Sequence, residues 1–184
     1  MTPSKSKPQQ SESVAEGGKT TARYRRGQSG GRVRGEVADR QAQADAPSAA
    51  FWRFVGRQAG STEDERLRRI ERGLPPNLAQ GLRSAFGLDD QEVSALLGAS
   101  PSTIERRKRD GLPLDGVACE RLDRIAEISH LALTVFEDRT EATAWMARPN
   151  QALGGDSPIM RCMTGIGAQQ ARRILHALEW GGAA

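Results

Sequence analysis

The sequence predicts an all-α protein: a helix-turn-helix domain, then a small helical domain, with a disordered N-terminal arm. Three observations carry this. From residue 51 onward apolar residues recur at helical spacing, and no period-two run of β-branched residues occurs. Cap and stop residues punctuate that pattern at regular intervals. Residues 1–48 are rich in Ser, Gln, Gly, Lys and Arg and nearly devoid of large apolar residues, so they cannot offset their ordering entropy by burial.

The arm also holds the charge. It has nine Lys/Arg against five acids, which accounts for the whole formal charge of +4 of the 184-residue chain. The run RYRRGQSGGRVRG (23–35) reads either as a solubilising tail or as an arm that follows DNA phosphates. FWRFV (51–55) supplies three of the chain's eight aromatics and marks the start of folded material, docked on the core or gripping a partner.

EDERLRRIERGLP (63–75) reads as a helix capped by Ser61 or Thr62, with acids in its first turn and arginines in its last. Gly73 and Pro75 stop it. A second helix, 75–87, places Leu78, Leu82, Ala85 and Phe86 on one face. A third, 89–98, starts on Asp89 or Asp90 and buries Val93, Leu96 and Leu97. A fourth, 100–111, starts on Ser100 or Ser102 with Pro101 at its entry. The longest, 114–138, carries the apolar stripe Leu122, Ile125, Ile128 or Ser129, Ala132, and Val135 or Phe136. That stripe is longer than one small bundle needs, which points to a homodimer contact. Shorter helices follow at 140–147, 157–165 and 167–181. The last has a core stripe of Ala171, Ile174, Leu175 and Leu178. The organisation expected is an arm (1–48), N-terminal helices with a helix-turn-helix (51–113), and a linking helix with a C-terminal domain (114–184).

Residues 89–109 form the recognition element. Gly98 allows the sharp turn, small Ser94 lets the helices approach, and Val93, Leu97, Ala99 and Ile104 face inward. Ser100, Ser102, Thr103, Glu105, Arg106 and Arg109 are left outward. Ser102 and Thr103 are then candidates for base edges, and Arg106, Arg107, Lys108 and Arg109 for phosphates. Arg107 departs from the pattern, since many such motifs place an apolar or aromatic residue there. One such element reads only a few base pairs, so specific binding calls for two copies.

No catalytic constellation, metal-ligand spacing or phosphate loop is visible, and neither a metal nor another cofactor is expected. His130 and His176 stand alone on helices, and Cys119 and Cys162 share no ligand spacing. Two lone thiols in a chain without a signal or membrane-spanning segment suggest the cytoplasm, with both as small core residues.

ARPNQALGGDSPIMR (147–161) has the residues of a shaped connector: Pro149 as stop, Asn150 as a side-chain cap, Leu153 as anchor, Gly154 and Gly155 for positive φ, and Asp156 or Ser157 with Pro158 as the next helix start. The string WMARPNQALGGDSP (145–158), then TGIG (164–167), then an amphipathic terminal helix, resembles the toxin-binding domain of the Xre/MbcA/ParS antitoxins. The upstream RRIERGLP, AFGL, EVSALLGAS, TIERRKRDG and ERLDRIAEI resemble the helix-turn-helix half of the same family. That resemblance spans residues 63–181 and implies a type II antitoxin, not an enzyme. Such proteins bind a RES-domain toxin that consumes NAD or transfers ADP-ribose, block its active site and repress their own operon. Arg148, Asn150, Gln151 and Arg161 on the connector, and Arg172, Arg173, Glu179 and Trp180 on the terminal helix, are the candidates for toxin contact. Trp180, so near the C-terminus, either folds back on Leu178 and Trp145 or reaches the toxin with the EWGGAA end. The alternative is a repressor whose C-terminal module only dimerises or senses a ligand.

Overall fold

The computed structural model describes residues 46–181. The expectations for residues 1–45, including the basic run 23–35, and for residues 182–184 lie outside them.

Among the described residues every regular element is helical. The first, α1, covers 46–56, so helix already includes Ala46, Pro47 and Ser48, which the sequence reading assigned to the arm. Phe51, Phe54 and Val55 are fully buried, and Phe51, Trp52 and Phe86 meet edge-on or tilted at 5.5–5.9 Å between ring centres. The aromatic cluster therefore docks on the core. Gly81 permits this: a Cβ there would stand 2.7 Å from the Pro47 carbonyl.

A 3-10 turn, Arg57–Gly60, leads to α2, Glu63–Arg72. Thr62 and Glu65 close a reciprocal capping box at its start. α3, Asn77–Phe86, ends on left-handed Gly87. α4, Asp90–Leu97, opens on a second capping box, Asp89 with Glu92. α5, Pro101–Arg109, is capped by Ser100, with Pro101 inside the first turn. α6, Gly116–Phe136, is capped by Asp115, and α7, Arg139–Ala147, by Asp138. A second 3-10 turn, Gln151–Leu153, precedes α8, Pro158–Arg161, and α9, Gly165–Glu179.

α6 is the centre of the molecule. It packs against α2, α4, α7, α9 and the first 3-10 turn. Ala118, Cys119, Leu122, Asp123, Ile125, Ala126, Ile128, Ser129 and Ala132 are all buried, which is more than one face of the helix. The stripe read from the sequence is thus covered within the chain as far as Ala132, because helices of both halves share it, while Val135 and Phe136 at its end are partly exposed.

Asp123 shows how the crowding is balanced. It is 2% exposed, accepts from Gln58 Nε2 at 2.9 Å, and pairs with Arg66 of α2 at 2.6 Å. A buried carboxylate needs such partners, since an unpaired charge there would be costly. The two thiols behave as small core groups. Cys119 Sγ accepts from the Leu74 amide at 3.0 Å, and Cys162 lies fully buried beside the Pro158 carbonyl.

Candidate functional site

The helix-turn-helix is formed by α4, the turn at Gly98 and α5. Gly98 has φ +66°, and its amide donates to the Ser94 carbonyl at 2.8 Å, which ends α4. Val93, Leu97, Ala99 and Ile104 are buried, as their spacing required. Ser100 Oγ accepts from the Thr103 amide and lies 3.0 and 2.9 Å from the hydroxyls of Ser102 and Thr103. Ser100 is therefore the cap, while Ser102 is exposed on the first turn of α5 with Thr103 half-buried beside it.

The four basic residues of α5 divide. Arg106 and Arg109 are exposed; Arg109 touches only its neighbour Asp110, at 3.2 Å. Lys108 leans back toward α3, with Nζ 3.5 Å from Gln80 Oε1. Arg107, read as a phosphate candidate, is the one of the four with a backbone partner outside α5 among the described residues. It lies one turn after buried Ile104 on the inward side, and its Nη1 donates to the Pro113 carbonyl at 2.7 Å. An arginine stem covers the place where an apolar residue was expected, and its head closes the 111–113 loop onto α5.

The connector after α7 is built as its composition predicts. Asn150 Oδ1 accepts from the Ala152 amide, and its backbone carbonyl takes the Gly155 amide. Leu153 is buried, and Gly154 and Gly155 have φ of +72° and +89°. Ser157 occupies the cap position of α8 without a side-chain bond. Arg161 reaches back to the Leu153 carbonyl and pairs with Asp156 at 3.1 Å. The TGIG string also has a packing reason. Thr164 caps α9, and a Cβ on Gly167 would overlap the Arg161 carbonyl.

These contacts sort the candidates for toxin contact. Asn150 and Arg161 are engaged in shaping the loop, and Arg172 is paired with Glu127 of α6 at 2.7 Å. Their polar heads also hold the fold together, and all three side chains stay partly exposed. Arg148, Gln151 and Arg173 are exposed. Glu179 faces His176 at 3.2 Å. Trp180 is 85% exposed, so it does not fold back; Trp145 lies instead beside Phe136, tilted to it, at 6.0 Å between ring centres.

The terminal helix also departs from its predicted stripe. Ala171 and Leu175 are buried, but Ile174 is only partly covered and Leu178 is 45% exposed. The core side of α9 is narrower because it sits on α6 through small residues, Gly167, Ala168 and Ala171. On its opposite side, Ile166 is 78% exposed. Residues 166, 173 and 180 are spaced by seven, two turns apart, so Ile166, Arg173 and Trp180 lie on one outward line about 21 Å long. The sequence reading missed Ile166. The seven-residue spacing back from Trp180 is the signal that would have found it.

Among the described residues no group of three or more His, Cys, Asp or Glu is placed to hold a metal ion, and no helix is long and apolar enough to cross a membrane. Comparison with curated proteins gives no match. Two family models do match. Residues 65–127 match the antitoxin Xre-like helix-turn-helix domain, which runs from α2 through the first half of α6. Residues 131–181 match the antitoxin Xre/MbcA/ParS C-terminal toxin-binding domain, which takes in the connector and α9. The two matches meet within α6 and leave little of the described chain uncovered, and the chain belongs to the Xre/MbcA/ParS antitoxins, with a DNA-binding helix-turn-helix and a toxin-binding domain in one polypeptide.

Proposed function

We propose that this antitoxin neutralises a RES-domain toxin that consumes NAD or transfers ADP-ribose, by covering the toxin's active-site entrance with α9 and its C-terminal end. The observation that carries the reading is the outward line of α9. It offers two large apolar residues, Ile166 and Trp180, with Arg173 between them, on the domain that matches toxin-binding antitoxins. Exposed apolar surface of this kind, ending in a tryptophan, is the usual anchor of an interface. The choice of a RES-domain partner rests on the family resemblance.

The same protein represses its own operon by placing α5 in the major groove. Ser102 and Thr103 meet base edges, and Arg106, Lys108 and Arg109 meet phosphates. Two copies act on one operator, either as a homodimer or brought together within the toxin complex. The site of action is the cytoplasm, where the operon lies.

Co-expression with a RES-domain toxin tests the inhibitory half. Growth and cellular NAD are expected to recover with the full chain, and the two proteins to copurify. A chain carrying both Trp180→Ala and Arg173→Glu is expected to lose both effects. Full protection by that variant would overturn the assignment of the α9 face. The rival reading, a repressor whose C-terminal module only dimerises, also uses an uncovered apolar face. It predicts that the double variant becomes monomeric while toxin copurification never occurs with either form.

A further inference from the structure

The turn of the helix-turn-helix is closed from outside the motif. α4 ends at Leu97, and its last carbonyls have no partner within the helix. The Ser94 carbonyl is taken by Gly98, while those of Ala95 and Leu96 accept from Arg121 Nη1 at 3.1 and 3.4 Å. Arg121 belongs to α6, some 25 residues further along the chain. Its guanidinium lies so close over the turn that a Cβ on Gly98 would stand 2.8 Å from Nη1 and 3.2 Å from Cζ. A cation at a helix C-terminus is favoured by the dipole, and the one Nη1, which carries two N–H groups, serves both carbonyls. α5 starts at Pro101, three residues after Gly98, so the geometry of this turn sets the angle at which α5 is presented.

We infer that Arg121 is a positioning residue for DNA reading: it fixes the α4–α5 turn from α6 and so sets how the first turn of α5 meets the base edges. The inference rests on the reading that α5 lies in the major groove. A phosphate contact would act differently, because phosphate contacts weaken binding to all sequences and lower its salt dependence.

The test uses the full chain with Arg121→Gln and Arg121→Lys, measured on the upstream DNA of its own operon and on unrelated duplex across a range of salt. For Arg121→Gln we expect operator affinity to fall about tenfold or more while affinity for unrelated duplex and the salt slope hold, since the specificity ratio is what geometry controls. Arg121→Lys keeps the charge but on a shorter stem without the planar head, and should restore only part of the ratio. Hydrogen exchange without DNA should speed up over residues 95–103 in Arg121→Gln and stay unchanged over 167–178. An equal loss on both duplexes with a shallower salt slope would make Arg121 a phosphate contact and overturn the inference. A lowered melting temperature with an unchanged specificity ratio and no local change in exchange would also overturn it, as a general stabilising role. Failure of the wild-type chain to bind any duplex would sink the groove reading, and with it the positioning of DNA contacts. The exchange result would still tell whether Arg121 holds the turn.

Discussion

Glu127 and Arg172 form a 2.7 Å ion pair that ties α6 to α9, and the other oxygen of the same carboxylate takes Arg66 of α2 at 2.9 Å. One side chain thus binds a helix of the DNA-binding half and a helix of the toxin-binding half. Burial by itself pushes the Glu127 carboxyl up, but hydrogen bonds from Arg66 and Arg172, with their charges, outweigh it and hold the group below its ordinary 4.5.

Acid stability should report this pair. A depressed folded value means that the contribution is fully present above about pH 4.5, the unfolded value, and is lost as pH falls through the folded value. Glu127→Gln should cost about 1–3 kcal/mol at pH 7, because two arginines lose a charged acceptor. The gap between wild type and variant should shrink progressively below pH 4.5. Denaturant unfolding at a series of pH values measures it, and a gap independent of pH would exclude the coupling.

Trp180→Ala should leave thermal stability unchanged, since the ring is solvent-exposed. It should weaken toxin binding by about 30-fold, the size of a hot-spot truncation of about 2 kcal/mol. Calorimetric titration against the toxin, beside a melting curve, separates the two effects. Truncation upstream of α9 is a poorer experiment, because Ala171 and Leu175 complete the core.

The basic residues of α5 should differ in salt dependence. Arg106→Ala and Arg109→Ala are each expected to reduce the slope of log affinity against log salt by about one. Arg107→Met should leave that slope unchanged, because its guanidinium holds the Pro113 carbonyl. Equal slopes for all three variants would place Arg107 on DNA after all.

Gly98→Ala should destabilise by about 2 kcal/mol or more, from the left-handed backbone cost together with displacement of Arg121. Pairing it with Arg121→Ala should recover the second part alone, which a double-mutant cycle in denaturant unfolding would resolve.

Neither thiol should react with an aromatic disulfide reagent in the native protein at pH 8. Burial pushes Cys162 up to about 12 and raises Cys119 as well, so both stay protonated and covered. Both should react at once in denaturant. Labelling followed by mass measurement reads the result.

The helices were legible in the sequence because each carries its own punctuation: Thr62, Asp89, Ser100, Asp115, Asp138 and Thr164 each cap the helix that follows. Local rules suffice where a side chain bonds three residues away. What lay hidden were pairings across tens of residues. Nothing local distinguishes Arg172, held by Glu127, from Arg173, free at the surface one residue later. The same holds for Arg107 among its basic neighbours, and for Arg121, whose partners are two carbonyls of another helix. The α6 stripe was legible and its partners within the chain were not, because periodicity gives the width of a buried face and never says whose side chains cover it.

Since α6 lends its surface to both halves, a cut on either side of it strips one half of a face that it packs against. Cleavage that disturbs α6 would loosen the helix-turn-helix and the C-terminal domain together.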